Sequence, residues 1–198
     1  MSTDDTLADR IRACRLCADR FAGTATAHAP RPLVWFRTGT PILVAGQAPG
    51  LRVHESGRPF DDPSGRRLRH WMGVDEATFW DRGRLSFLPT ALCFPGYSDT
   101  GADLPPPPVC WRTWHARALA EIGRPRLTLL VGAHAVRRHL GHRGALGAAL
   151  ADWRRHAPAI FVLPHPSWRN NAWLARNPWF EADVVPALRT AVRDALGG

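Results

Sequence analysis

The chain has no lysine: all 26 of its basic residues are arginine. Against 17 acidic residues this leaves a formal net charge of +9. Such an excess favours a polyanionic partner, and the guanidinium forks onto phosphate well. An arginine-only basic set is also what a GC-rich genome produces, so charge alone leaves nucleic acid as one of two explanations. Long apolar runs are absent too. None approaches the roughly 20 residues that a bilayer-spanning helix needs, so no membrane partner is expected. The opening MSTDDTLADRIRAC carries no apolar core of the secretory kind, and a cytoplasmic protein is expected. Cysteine is scarce, with Cys14, Cys17, Cys93 and Cys110 the whole set. In the cytoplasm four such residues point to a metal or a cluster before disulfides. Internal repeats and linkers are absent as well. The 198 residues read as a single monomeric domain with its core over about 38–196, long enough to bury a sizeable interior.

What is present is an alternation. Four short apolar runs, PILVAG (41–46), LSFLPTAL (85–92), LTLLVGA (127–133) and AIFVLPH (159–165), read as buried parallel strands. Helical patterns lie at about 64–73, 110–123, 134–140, 144–156 and 179–196, and a short N-terminal helix at 4–20 carries Cys14-x2-Cys17. Strands alternating with helices predict an α/β layered fold. In such sheets ligands bind beyond the carboxyl ends of the strands. The segments there are GQAPG, TALCFPG and LPHPS. The four prolines of DLPPPPVC (103–110) predict a stiff extended spacer leading into Cys110.

Each segment suggests chemistry. Gly46 and Gly50 permit close backbone approach around Gln47, Ala48 and Pro49, so the loop suits the edge of a planar polar ligand. The alternative is a plain strand-to-helix connection. LRVHESGRPFDDPSG (51–65) reads as an exposed loop with Phe60 free to stack on a base, or else packed on the strand ends. Glu55, Asp61 and Asp62 are candidates to activate water, while Asp62 or Ser64 also suits a helix cap. Arg66, Arg67 and Arg69 form a candidate phosphate-facing patch. His165, held between Pro164 and Pro166, is followed by Ser167, Trp168, Arg169, Asn170 and Asn171, a mixture that suits a nucleic-acid groove. The four cysteines can hold either a [4Fe–4S] cluster or a tetrahedral zinc. A second CxxC, which would favour a zinc ribbon, is missing.

Taken together, GQAPG, the Gly57-Arg58-Pro59-Phe60 that follows it, the cysteine spacing and His165-Pro166-Ser167 resemble the uracil-DNA glycosylase superfamily. The nearest likeness is its family-four type, which carries an iron–sulfur cluster, and it spans almost the whole chain. The resemblance implies a three-layer α/β/α fold with a central four-stranded parallel sheet. It implies a DNA repair hydrolase that removes uracil or a related deaminated base, with DNA as partner. By the same resemblance Cys14, Cys17, Cys93 and Cys110 hold [4Fe–4S], and Phe60 stacks on the flipped base. Gly46 to Gly50, Thr90, Ser167 and Asn170 contact the base. His165 donates a hydrogen bond to it, His54 or Glu55 stands in for the family's second acidic residue, and Arg66, Arg69 and Arg169 meet phosphates. Three positions depart from the family pattern: Gln47 replaces a glutamate, Val53 an acidic residue, and Pro89 the uracil-reading asparagine. These departures also suit a non-catalytic damage-recognition protein on the same fold.

Overall fold

The computed structural model describes residues 5–197. Four strands, β1 (Ile42–Ala45), β2 (Leu85–Phe87), β3 (Leu127–Val131) and β4 (Ile160–Leu163), form one sheet in the order β2-β1-β3-β4, with every pair parallel. The strands are short because their prolines stop them. Pro41 precedes β1, Pro89 follows β2 and Pro164 follows β4, each outside the hydrogen-bonded ladder.

The side-chain alternation of the strands builds two cores. Ile42, Val44, Leu129 and Phe161 face one layer, where they meet Leu68 and Trp71 of α4 (Pro63–Met72), Phe79 of α5 (Glu76–Phe79) and Leu188 of α11 (Val185–Leu196). On the opposite face Leu43 meets Ile11 of α1 (Leu7–Arg12) and Ala118 and Ile122 of α7 (Ala116–Ile122). Further along that face Ala45, Leu130 and Val162 meet Val136 of α8 (Gly132–Leu140) and Leu150 of α9 (Leu146–Ala151). A sheet covered on both faces explains why its strands are continuously apolar. This is the expected three-layer α/β/α arrangement. No helix among the described residues is long and apolar enough to cross a membrane.

Several expectations are corrected. The N-terminal helix is two helices, α1 and α2 (Ala18–Ala22), separated by the turn that carries Cys14 and placing Cys17 at the N-cap of α2. The stretch expected as loop at 51–65 holds α3 (Leu51–Ser56) and the start of α4. The loop after β4 turns into α10 (Asn171–Arg176). The spacer of prolines ends earlier than expected. Pro108 opens α6 (Pro108–Cys110), where its missing N–H costs nothing, and the chain continues through a π-helical turn (Trp111–His115) into α7.

Candidate functional site

The chain leaves β1 toward β2 on one side and passes to β3 and β4 on the other. The crevice where these directions diverge lies at the carboxyl ends of the strands. There a cleft of about 770 Å³ opens, a size that accommodates a nucleotide. Loop 46–50 forms one wall, and it is pinned from behind. The Gly46 carbonyl accepts from both the Thr90 N–H and the Thr90 hydroxyl, each at 2.9 Å. The Gln47 carbonyl accepts from the Ala91 N–H at 3.0 Å. Gln47 itself lines the cleft.

Phe60 lies over this wall. A Cβ added at Gly46 would sit 3.8 Å from its Cζ. The ring rests on Phe87 and Phe79 with centroids 5.9 and 6.4 Å away, so it packs on the strand ends and lines the cleft at once. Its backbone is in the left-handed region, with φ of +53°, where a bulky residue is strained. Gly65 makes this possible: a Cβ there would lie 1.8 Å from the Phe60 carbonyl oxygen. The same turn is closed by Asp62, whose Oδ1 accepts from the Gly65 N–H at 2.9 Å and caps α4, with Pro63 next in line.

The opposite wall is the loop after β4. Its peptide N–H at Ser167 donates to Nδ1 of His165 at 3.3 Å, which leaves the proton of the neutral ring on Nε2. The Asn170 amide donates to the His165 carbonyl at 2.6 Å, and Nη1 of Arg67 to the Ser167 carbonyl at 3.1 Å. Burial pushes the His165 pKa below its ordinary value, against the opposing pull of Asp62 and Asp103. Both carboxylates line the cleft.

Gly46, Gln47, Ala48, Pro49, Gly50, Phe60, His165, Ser167, Arg169 and Asn170 therefore share one cleft. Others do not join them. Because 51–56 is a helix, His54 turns away onto His28 at 5.1 Å between ring centroids, and Glu55 projects to solvent. Thr90 is buried behind the wall and braces Gly46 without lining the cleft. Arg69 is buried, bonded to Glu76 at 2.8 Å and stacked over the Trp80 ring at 4.9 Å, so it is not phosphate-facing. Arg66 is exposed on α4 outside the cleft. Arg67 between them is the one that reaches the site. Tyr97 and Asp103 also line the cleft and escaped the sequence reading. They are joined by an antiparallel bridge across the loop after β2. The one available signal was that Tyr97 is the only tyrosine in the chain.

The cysteines assemble elsewhere, on the flank formed by α1, α2 and α6. Cys14, Cys17, Cys93 and Cys110 line one hollow with Ile11, Phe21, Leu92 and Trp114. No disulfide joins any of the four. Burial, and then the neighbouring cysteines, push Cys93 up to about 12; burial likewise holds Cys110 at about 11. One backbone N–H points at a sulfur: Leu92 donates to Cys110 Sγ at 3.2 Å. No group of three or more Cys, His, Asp or Glu side chains among the described residues is disposed to hold a single metal ion. Four thiols around an apolar hollow, one of them accepting a backbone N–H, are a set that could hold a polynuclear iron–sulfur cluster.

The profile of the Uracil DNA glycosylase superfamily matches residues 34–189, a span that contains all four strands and both walls of the cleft and begins after Cys14 and Cys17. The chain belongs to the uracil DNA glycosylase superfamily.

Proposed function

We propose that the protein is a monofunctional DNA glycosylase that hydrolyses the N-glycosidic bond of uracil, or of a related deaminated base, in DNA. One juxtaposition carries this reading: Gln47, Phe60 and His165, from three distant segments, face one cleft at the strand ends.

The target nucleotide must leave the helical stack to reach such a cleft. Phe60 offers a face for stacking and the Gln47 amide an edge for hydrogen bonding. As the C–N bond breaks, its electron pair leaves with the base and positive charge grows on the sugar. With Nδ1 occupied, neutral His165 donates from Nε2 to the base oxygen that gains charge, and its lowered pKa keeps it in that neutral form. A donor of this kind contributes about 3 kcal/mol to the barrier reduction. Asp62 takes the place that Glu55 and His54 were expected to fill. One of its oxygens caps α4 and the other is free to orient water toward the sugar. The water oxygen bonds to C1′, its proton passes through Asp62 to solvent, and the base anion is protonated from solvent. Trp168, 72% exposed at the rim, is suited to fill the vacated stack.

Cys14, Cys17, Cys93 and Cys110 would hold a [4Fe–4S] cluster, which when bound would cross-link the N-terminal helices to the loop after β2 and to α6, with no redox turnover required of it. Structural zinc is the competing occupant. Iron and sulfide analysis, with absorption near ~400 nm, separates the two.

A second reading, a damage-binding protein without turnover, is favoured by Gln47 and Pro89 at positions where the family carries glutamate and asparagine. A single-turnover panel with uracil, hypoxanthine and xanthine in single- and double-stranded DNA decides between them. Release of at least one base supports the glycosylase. Tight, damage-selective binding with no release from any strand supports the second reading.

A further inference from the structure

Beside the cleft lies a second hollow of about 310 Å³. Four arginines line it: Arg12 and Arg15 from the end of α1 and the turn beyond it, Arg31 from the connector before β1, and Arg82 from the loop before β2. No aspartate or glutamate among the described residues lines it. The guanidinium groups are held mainly by carbonyls. Arg15 donates to the carbonyls of Arg12 and Cys14 at 3.0 and 2.9 Å. Arg31 donates to those of His54 and Glu55 at 2.8 and 2.7 Å. Arg82 donates to Val34 at 3.3 Å and lies 4.0 Å over the Trp35 ring. Only Arg12 has a carboxylate partner, Asp9 at 2.8 Å, in a half-exposed pair. Burial and the neighbouring Arg12 both lower the pKa of Arg82. His54 also lines this hollow, and its Nδ1 is buried with no hydrogen-bond partner.

Carbonyl contacts fix a cation in place without neutralising it. Three cations so fixed, with Arg12 beside them and paired only to half-exposed Asp9, repel one another until an anion enters, and the guanidinium fork matches phosphate oxygens. The position of the hollow is equally specific. Leu33, Pro49 and Val53 line both it and the substrate cleft, and Pro30 and Pro32 line both it and the thiol hollow. Pro49 belongs to the loop that forms the cleft wall.

We propose that this hollow is a subsite for backbone phosphate of the DNA strand whose extruded nucleotide occupies the cleft. The strand's identity rests on the glycosylase reading; the anion preference does not. Arg12 and Arg15 flank Cys14, so the thiol centre positions two of the four cations. That gives the centre a part in substrate binding with no part in the chemistry.

The test uses the full chain and a single-stranded oligonucleotide of normal bases, so that no base release is required. Arg12→Gln/Arg82→Gln is compared with wild type and with Arg193→Gln, an exposed arginine on α11. The expected result is about tenfold weaker binding for the double variant, and a salt dependence of log Kd shallower by about 0.7 for each phosphate that is no longer neutralised. Arg193→Gln should bind as wild type. Thermal melts and iron content confirm that the double variant is folded and loaded; Arg15→Gln replaces it if it is not. Unchanged affinity and unchanged salt slope overturn the proposal. A second arm titrates tripolyphosphate. If the variant loses tripolyphosphate binding while oligonucleotide binding is unchanged, the site takes a free phosphate compound and the backbone assignment falls. Absence of base release in the panel above, with the arginine effects intact, would refute the glycosylase reading alone.

Discussion

The cleft and the thiol hollow are both gathered from distant parts of the chain, but they are held together differently. The cleft stands on the sheet. Its walls are loops that leave parallel strands of one sheet, and backbone bonds from Thr90 and Ala91 brace the 46–50 wall from behind. The thiol hollow depends on α1 and α2, helices of six and five residues, which are too short to be stable alone. Their docking rests on Ile11 and Phe21, both fully buried. The first region is preorganised by the fold; the second is where the proposed cluster would add a cross-link. The arginine hollow lies between them and draws residues from both.

Perturbing each region separately should expose this difference. The largest effect is expected from Cys93→Ser. It should reduce bound iron to near zero and make the segment before residue 30 sensitive to protease, while far-UV helicity and sheet content change little. Global unfolding would instead mean that the two regions form one cooperative unit. Gly65→Ala should damage the cleft and spare the cluster. The added Cβ meets the Phe60 carbonyl, so the Phe60 turn must shift, at a cost of about 3 kcal/mol or more in denaturant unfolding, with loss of base release. Unchanged iron content in the folded fraction would complete the contrast.

His115 joins the two regions. It is buried behind the cleft wall, with Nε2 donating to the Pro89 carbonyl at 2.7 Å and Nδ1 without a partner. Burial lowers its pKa to about 4. The unfolded chain, with an ordinary histidine pKa of about 6.5, takes up the proton first as pH falls. Stability is therefore full above pH ~6.5 and is lost as pH falls toward ~4, by on the order of 3 kcal/mol. His115→Gln should flatten the urea midpoint across that window; an equally steep profile would assign the loss to other groups. The smallest effect is expected from Thr90→Val. It removes one of two bonds to the Gly46 carbonyl, so unfolding should change by about 1 kcal/mol and base release by a few-fold.

The strands and the layered α/β alternation were readable because apolar runs and proline stops mark a parallel sheet without tertiary information, whereas the three-layer order came from the family resemblance. The convergence of GQAPG, Phe60 and His165 was readable for the same reason, since each follows a strand or its connection. Short helices were not. The six residues of α3 and of α10 hold fewer than two turns, too few for a periodic pattern. Reading 51–56 as a loop puts His54 and Glu55 in the site, whereas the helix turns them out of it, and of the acidic residues in 51–65 only Asp62 lines the cleft. Arg66 and Arg69 sit three apart and were expected on one face. The contacts of Arg69 with Glu76 and Trp80, contributed by and next to α5, decide its burial, and no local signal announces them. Asp103 was hidden by the proline run that carries it.

The most direct test of the central claim, that loop 46–50, Phe60 and His165 form one base-cleaving pocket, is single-turnover release of uracil from a DNA oligonucleotide by wild type and His165→Ala. Removal of the Nε2 donor should slow release by about 10²–10³-fold at unchanged thermal stability. Equal rates for the two proteins would contradict the account.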